Sequence, residues 1–276
     1  MKLAALAVVL VTVSGCSPLD DSDLKRLALP KAASDRTDEM WNVWLGAWIA
    51  VLVVFLLVFG LIMYSAIRFR RRSEDEVPTQ IRYNLPIEAL YTFAPVIVVA
   101  IFFYHTVSAQ NAMLETVDNP DHTITVVGSK WQWAFTYNDE TAVDGQNVYD
   151  VGTPEDFADL YLPVDESVRF NLVSPDVIHS FWVPEFYFKM DVIPGKGPQV
   201  NSFDLTPTRE GTFTGRCAEL CGLYHSRMLF KVHVVSRAEY DQHLVELREQ
   251  GNIGEPEGQK DAMTLAGLDT AEEGGN

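Results

Sequence analysis

Apolar and polar positions divide the chain into four stretches. A lone Lys2 precedes an apolar run over residues 3–13, which gives way to Ser14, Gly15 and Cys16. A basic start, a short apolar middle and small residues at the end form a secretory signal rather than a membrane span. Residues 43–67 carry no charged side chain and are enough to cross a hydrocarbon core of about 30 Å as a helix. A second long apolar run, residues 87–108, has Glu88 at its start and Pro95 inside it. From residue 120 the pattern changes to short alternating segments separated by turn residues, among them TITVVGSKWQWAFTY, GTFTGRC and MLFKVHVV. That alternation predicts an all-β sandwich or barrel.

The boundaries that follow are a signal over 1–15, an exported segment 16–42, a first span 43–67 and a loop 68–86. A second span 87–108 leads to a β domain over 120–236, then a short helix and an acidic disordered tail over 237–276. The stretch 138–158, rich in Asp, Glu and Gly, reads as an acidic excursion joining two strands. Arg68, Arg70, Arg71, Arg72 and Arg82 fill the loop between the spans, and a short basic loop stays cytoplasmic. The N-terminus and the β domain are then both outside, as the export signal also requires. Trp41, Trp44 and Trp48 near the first span, with Tyr91 and Tyr104 in the second, suit either interfacial anchoring or packing against neighbouring helices. Glu88 reads by position as an interfacial carboxylate in contact with water.

Charge separates the same regions. Residues 1–110 carry 10 basic and 10 acidic side chains, and residues 111–276 carry 11 and 28. The whole net charge of −17 therefore belongs to the C-terminal part. Such a surface repels nucleic acid and suits a basic protein partner, and it equally serves solubility. The three cysteines are too few for a disulfide-dense scaffold. Cys16 ends a V-S-G-C sequence that resembles a bacterial lipoprotein cleavage box; lipidation there would anchor the mature chain, whereas in an ordinary signal the residue is incidental.

In CAELCGLYHSRM, residues Cys217, Cys221, His225 and Met228 fall within one loop after an expected strand, and His179 lies upstream in VIHSFWVPEF. Thiolate, thioether and imidazole together select copper or another thiophilic metal. A mononuclear blue-copper site needs one Cys, two His and a weak Met. A second Cys allows both sulfurs to bridge two copper ions, with one imidazole terminal on each. Two alternatives stay open for the cysteines, a disulfide in an oxidising exterior and a Cys₂His₂ zinc site. The zinc alternative does not use Met228, and the disulfide leaves His179, His225 and Met228 without a role. His105, His122, His233 and His243 lack a comparable setting and read as structural or solvent-exposed.

Two spans, the W-x-W segment, HSFWVPEF, the K-x-D-V-I-P-G run and CAELCGLYHSRM resemble subunit II of the cytochrome c oxidases over roughly residues 39–235. The resemblance implies a cupredoxin-like β domain carrying the dinuclear copper centre called CuA. Cys217 and Cys221 would bridge, His179 and His225 would be terminal, and Met228 and the Glu219 carbonyl would be weak ligands. It gives the Glu219 side chain a second task, holding magnesium or manganese at the interface with subunit I. Trp131 falls where electrons from cytochrome c enter, although Trp131 and Trp133 also alternate as strand residues, either of which suits a core. Asp176 matches an acidic docking position, whereas Pro175 stands where an acid is common. Glu88 corresponds to the carboxylate at the entrance of a proton pathway.

The resemblance implies a membrane partner of oxidase subunits I and III in the bacterial cytoplasmic membrane. The chain would take electrons from cytochrome c and pass them to haem in subunit I, where oxygen is reduced and protons are pumped. No C-x-x-C-H haem-attachment sequence occurs in the chain, so the donor is another polypeptide. The lipoprotein-type start and the acidic excursion raise the expectation of a larger assembly with a cytochrome bc complex bearing a tethered cytochrome c. A copper subunit of a nitric oxide reductase would share the domain, but Glu88 and Glu219 fit the oxidase better. A copper storage lipoprotein would need neither two spans nor the W-x-W segment.

Overall fold

The computed structural model describes residues 25–194 and 201–256. The signal, Cys16, Gly195 of the K-x-D-V-I-P-G run and the tail beyond residue 256 lie outside the described residues. Residues 25–31 form a short turn in which Arg26 Nε donates to the Leu29 carbonyl at 3.1 Å.

Helix α1 (Thr37–Arg68) and helix α2 (Leu85–Met113) form the anchor. The first begins six residues before the uncharged run, because Asp38 and Glu39 suit the positive end of a helix dipole. The second is capped by Asn84, whose side chain accepts the Ile87 N–H, while the Glu88 carboxylate accepts the Asn84 N–H at 2.8 Å. Pro86 sits in the first turn, where its missing N–H costs nothing, and Pro95 is accommodated inside the helix. Every residue from 51 to 70 is exposed in the isolated chain. Such apolar exposure on helices of 32 and 29 residues belongs in lipid or against other membrane helices. The chain is a membrane protein with two spans.

The β domain consists of β1 (His122–Ser129), β2 (Gln132–Glu140), β3 (Gln146–Val151), β4 (Asp159–Pro163), β5 (Val168–Val173), β6 (His179–Val183), β7 (Phe188–Val192), β8 (Ser202–Leu205), β9 (Gly211–Cys217) and β10 (Leu229–Val235). They make two five-stranded sheets, ordered β3-β2-β1-β5-β8 and β4-β10-β9-β6-β7. The parallel pairs β1/β5 and β10/β4 require the chain to cross between sheets, as in a cupredoxin-like sandwich. Inward residues from both sheets interlock: Trp133, Phe135, Phe170, Phe181, Phe203 and Phe230 are all buried. Phe181 stacks on Phe230 at 5.0 Å and Trp133 meets the same ring edge-on at 5.3 Å. Gly215, the cross-strand partner of Phe230, leaves space that the Phe230 ring fills; a Cβ there would overlap it.

The acidic stretch 138–158 contains more structure than its composition predicts. Its first three residues complete β2 and its middle forms β3, joined through a turn in which Asp144 takes φ +58°. Val143, at the end of the short turn between β2 and β3, and Val148, on β3, are both buried, so two apolar residues anchor this segment where the acids alone read as a loop. Helix α3 (Arg237–Glu249) opens with a Ser236/Glu239 capping box and buries Tyr240, Leu244 and Leu247 against the sandwich. Under it lies buried His122, with Nδ1 2.9 Å from Glu140 and Nε2 2.8 Å from Glu166. Tyr240 donates to the same Glu140 at 2.9 Å.

Candidate metal centre

Strand pairing brings the sulfur loop to His179. Strands β6 and β9 are antiparallel with Phe181 opposite Cys217, which sets His179 beside the last residue of β9. The loop from Cys217 to Met228 is closed at its base, where the Cys217 N–H donates to the Met228 carbonyl at 3.0 Å. The Ala218 N–H donates to Ser180 across the β6/β9 seam at 3.0 Å. A single 3-10 turn, His225–Arg227, brings His225 back over the loop. Trp133 supports the site from beneath: its Nε1–H donates to the Met228 carbonyl at 3.3 Å.

The candidate ligands make a continuous set of contacts. His179 Nδ1 lies 3.9 Å from Cys217 Sγ, the two sulfurs are 3.9 Å apart, and Cys221 Sγ lies 3.7 Å from both His225 Nδ1 and Met228 Sδ. The Glu219 carbonyl oxygen is 3.2 Å from Cys217 Sγ, and the Glu219 side chain points to the exposed surface. Ligand atoms of His179, Cys217 and Cys221 all fall within 4.8 Å of one another. Both cysteines are free; a disulfide needs sulfurs about 2.05 Å apart. Metal–thiolate bonds of about 2.3 Å can span this separation from both sides, so the donor set fits a bridging ion. Soft sulfur with imidazole suits copper, and this His/Cys/Cys group supports copper binding.

Electrostatics favour the same occupant. Burial, with Cys217 alongside, pushes the Cys221 thiol up to about 12. A thiolate there needs a cation to replace the proton. Burial also lowers the pKa of His179, against the opposing pull of Asp176, so a neutral imidazole offers its lone pair at neutral pH. Asp176 Oδ1 lies 2.9 Å from His179 Nε2, which fixes that nitrogen as N–H and leaves Nδ1 facing the sulfur. The Lys130 and Val177 amides donate to the same carboxylate at 2.7 and 2.6 Å. Burial opposes its ionisation, but His179 and these amides together hold Asp176 below its ordinary value. Its position three residues before His179 was the only sign of this role in the sequence.

Trp131 is half-buried, between the two expected extremes. Its Nε1–H donates to the Cys221 carbonyl at 3.3 Å, and its ring meets Tyr224 edge-on at 5.0 Å. Trp133 alternates inward and is buried. Two glycines, unremarked in the sequence, seat these rings. Gly222 has φ +122°, and a Cβ there would lie 3.2 Å from the Trp131 indole; a Cβ on Gly128 would lie 3.2–3.3 Å from Trp133 and His179. Glu88 is remote in sequence from this site, half-buried in the first turn of α2, at the opposite end of that helix from the β domain linker.

The family model for the periplasmic domain of cytochrome c oxidase subunit II matches residues 122–235, and that for its transmembrane domain matches residues 22–106. A probable cytochrome c oxidase subunit 2 from Streptomyces avermitilis is 43% identical, covering 92% of this chain and 88% of its own. Cytochrome c oxidase subunit 2 from Mycobacterium bovis is 33% identical, with 87% and 79% covered. Among solved structures, the periplasmic domain of subunit II of cytochrome oxidase from Bradyrhizobium japonicum is 27% identical with a TM-score of 0.43, covering 49% of this chain and 99% of that one. With consecutive matches to anchor and β domain, and relatives aligned along most of its length, the chain belongs to the cytochrome c oxidase subunit II family.

Proposed function

We propose that this chain is the electron-accepting subunit of a haem-copper oxidase, holding a dinuclear copper centre that receives electrons from cytochrome c and delivers them to haem in subunit I. One observation carries the reading: each imidazole meets a different thiol, and the two thiols face each other. That arrangement supports two bridging sulfurs with one terminal histidine on each side, and it uses Met228 and the Glu219 carbonyl as further donors. Copper held by these residues would supply a one-electron redox site.

The surrounding residues have separable tasks. Asp176 orients His179, and the buried Trp133, Phe181 and Phe230 rings exclude water behind the sulfurs. Trp131 joins the surface to the metal loop through its bond to the Cys221 carbonyl, which supports it as the site of electron acceptance. The exposed Glu219 carboxylate suits a magnesium or manganese ion shared with subunit I. Glu88, at the end of α2 next to the basic loop, suits the mouth of a proton pathway. A basic loop between the spans supports an extracytoplasmic β domain, where an acidic surface would attract a basic cytochrome c. Oxygen reduction to water and proton pumping then occur in the partner subunits.

Copper content and cytochrome c oxidation of Cys217→Ser test the reading together. Loss of copper with loss of cytochrome c oxidation is the expected result. Wild-type copper content and turnover in that variant would refute the assignment.

A further inference from the structure

One guanidinium closes the seam between the membrane helices and the β domain. Arg36 immediately precedes α1 and donates to three backbone carbonyls on two distant stretches of the chain. Nε reaches Asp204 on β8 at 3.2 Å, Nη1 reaches Ala112 in the last turn of α2 at 2.7 Å, and Nη2 reaches Glu115 just beyond it at 2.8 Å. The last turn of α2 contains no basic residue of its own, so Arg36 is the cation that meets the carbonyl end of that helix.

The Asp204 side chain continues the junction. Its carboxylate, 2% exposed as a residue, accepts the Val117 N–H at 2.6 Å and receives both Nε and Nη2 of Arg169 at 2.8 and 2.7 Å. Arg169 stands directly opposite it on β5 and also donates to the Val117 carbonyl at 2.6 Å. Ahead of α1, a strap lies along the chain that leaves β8. Asp35 N–H donates to the Thr206 carbonyl, Thr206 N–H donates to Asp35 Oδ1, and Thr208 N–H donates to the Ala33 carbonyl, at 3.0, 2.9 and 3.0 Å. The start of α1, the exit of α2 and one sheet edge therefore meet in a single hydrogen-bonded knot. A covalent linker alone would tether the domain and leave it free to turn. A planar guanidinium bonded to three carbonyls in fixed directions removes that freedom.

We propose that Arg36, backed by the Asp204–Arg169 pair, is a positioning residue for electron delivery: it fixes the β domain on its two membrane helices and so sets the gap between the metal loop and the haem of the partner subunit. The inference rests on the relay reading given above. In the step concerned, the copper pair loses one electron and the haem iron gains it, with no other group oxidised or reduced. Arg36 touches neither centre and acts only through the orientation it imposes. A misplacement of about 1 Å imposed from a distance can cost a factor on the order of a hundred in rate. The partner subunit restrains the domain as well, so a loss of about tenfold is expected here.

The experiment uses the intact oxidase mixed rapidly with reduced cytochrome c, with copper and haem absorbance followed separately. Arg36→Ala should slow the copper-to-haem step about tenfold while the cytochrome c-to-copper rate and the copper paramagnetic resonance spectrum stay as in the wild type. Arg36→Lys, which keeps the charge but lacks the fork, should fall between the two and carries the test if the alanine variant does not assemble. A copper-to-haem rate equal to wild type in either variant overturns the proposal. So does a parallel fall of both rates with an altered copper spectrum, which marks a general loss of structure. If wild-type oxidase shows no copper absorbance change on mixing, the relay reading itself fails and this proposal with it.

Discussion

Gly128→Ala tests whether the metal loop is packed as tightly from behind as the geometry indicates. The new methyl group would lie 3.2 Å from Trp133 Cζ3 and 3.3 Å from His179 Cβ and Cγ, where carbon–carbon contacts prefer about 3.5–4.0 Å. Neighbours must therefore yield by roughly 0.3–0.5 Å, and neither is free to do so. His179 is held by β-pairing to Val192 and by Asp176; Trp133 is held by its bond to Met228 and by Phe181 and Phe230. Overpacking of this kind costs about 1–3 kcal/mol, and the lost chain freedom of a Gly-to-Ala change returns about 0.4–1 kcal/mol. A net destabilisation of about 1 kcal/mol corresponds to a fall of roughly 4 °C in Tm for a domain of this size. Calorimetry of the copper-loaded protein reads the stability, and the visible copper absorption reads the displacement of His179. An unchanged or raised Tm with an unaltered absorption band would refute the close approach. A lowered Tm with an unaltered band would confine the strain to Trp133 and refute its transmission to the ligand.

Two further outcomes follow from the structure. Gly222→Ala combines a φ of +122° with a Cβ 3.2 Å from the Trp131 indole, so it should break the Trp131–Cys221 bond, cost about 1–2 kcal/mol of local backbone strain and slow electron uptake from cytochrome c. Stopped-flow mixing checks this, and wild-type uptake would contradict it. Stability should be domed with pH. Burial lowers His243 from 6.5 to about 4, so its contribution is complete above pH 6.5 and is lost as pH falls toward 4, about 3 kcal/mol in all. His122 has the opposite sign: burial lowers its pKa, but Glu140 and Glu166 outweigh that and raise it, so its contribution is complete below pH 6.5 and fades as pH rises through the raised value. Urea denaturation across pH, with His243→Leu flattening only the acid limb, tests both signs.

The spans were legible because an uncharged run of that length has few other uses, and the copper loop because four of its donors fall within twelve consecutive residues. His179 was joined to that loop by donor chemistry alone, as the second imidazole of the set; the strand pairing of β6 with β9 supplies the physical reason. Strand β3 and the turn before it were hidden because Val148 and Val143 are scattered among acids, which dominate the composition while the two valines direct the burial. Alternation separated Trp131 from Trp133 but could not say which face was inward, since that depends on the opposing sheet. Asp176 read as a docking acid, and its contact with His179 Nε2 was not legible beyond the three-residue spacing. Arg36 was invisible for a similar reason: an arginine before a span reads as a flanking charge, and its three carbonyl partners lie 76 to 168 residues away.

The proposed relay depends on a copper pair bridged by Cys217 and Cys221. Electron paramagnetic resonance of the purified oxidase, with copper quantified per chain, tests it most directly. A mixed-valence signal with hyperfine structure from two equivalent copper nuclei is expected, lost in Cys217→Ser and in Cys221→Ser. A signal from a single copper nucleus, or zinc in place of copper at these sulfurs, would contradict it.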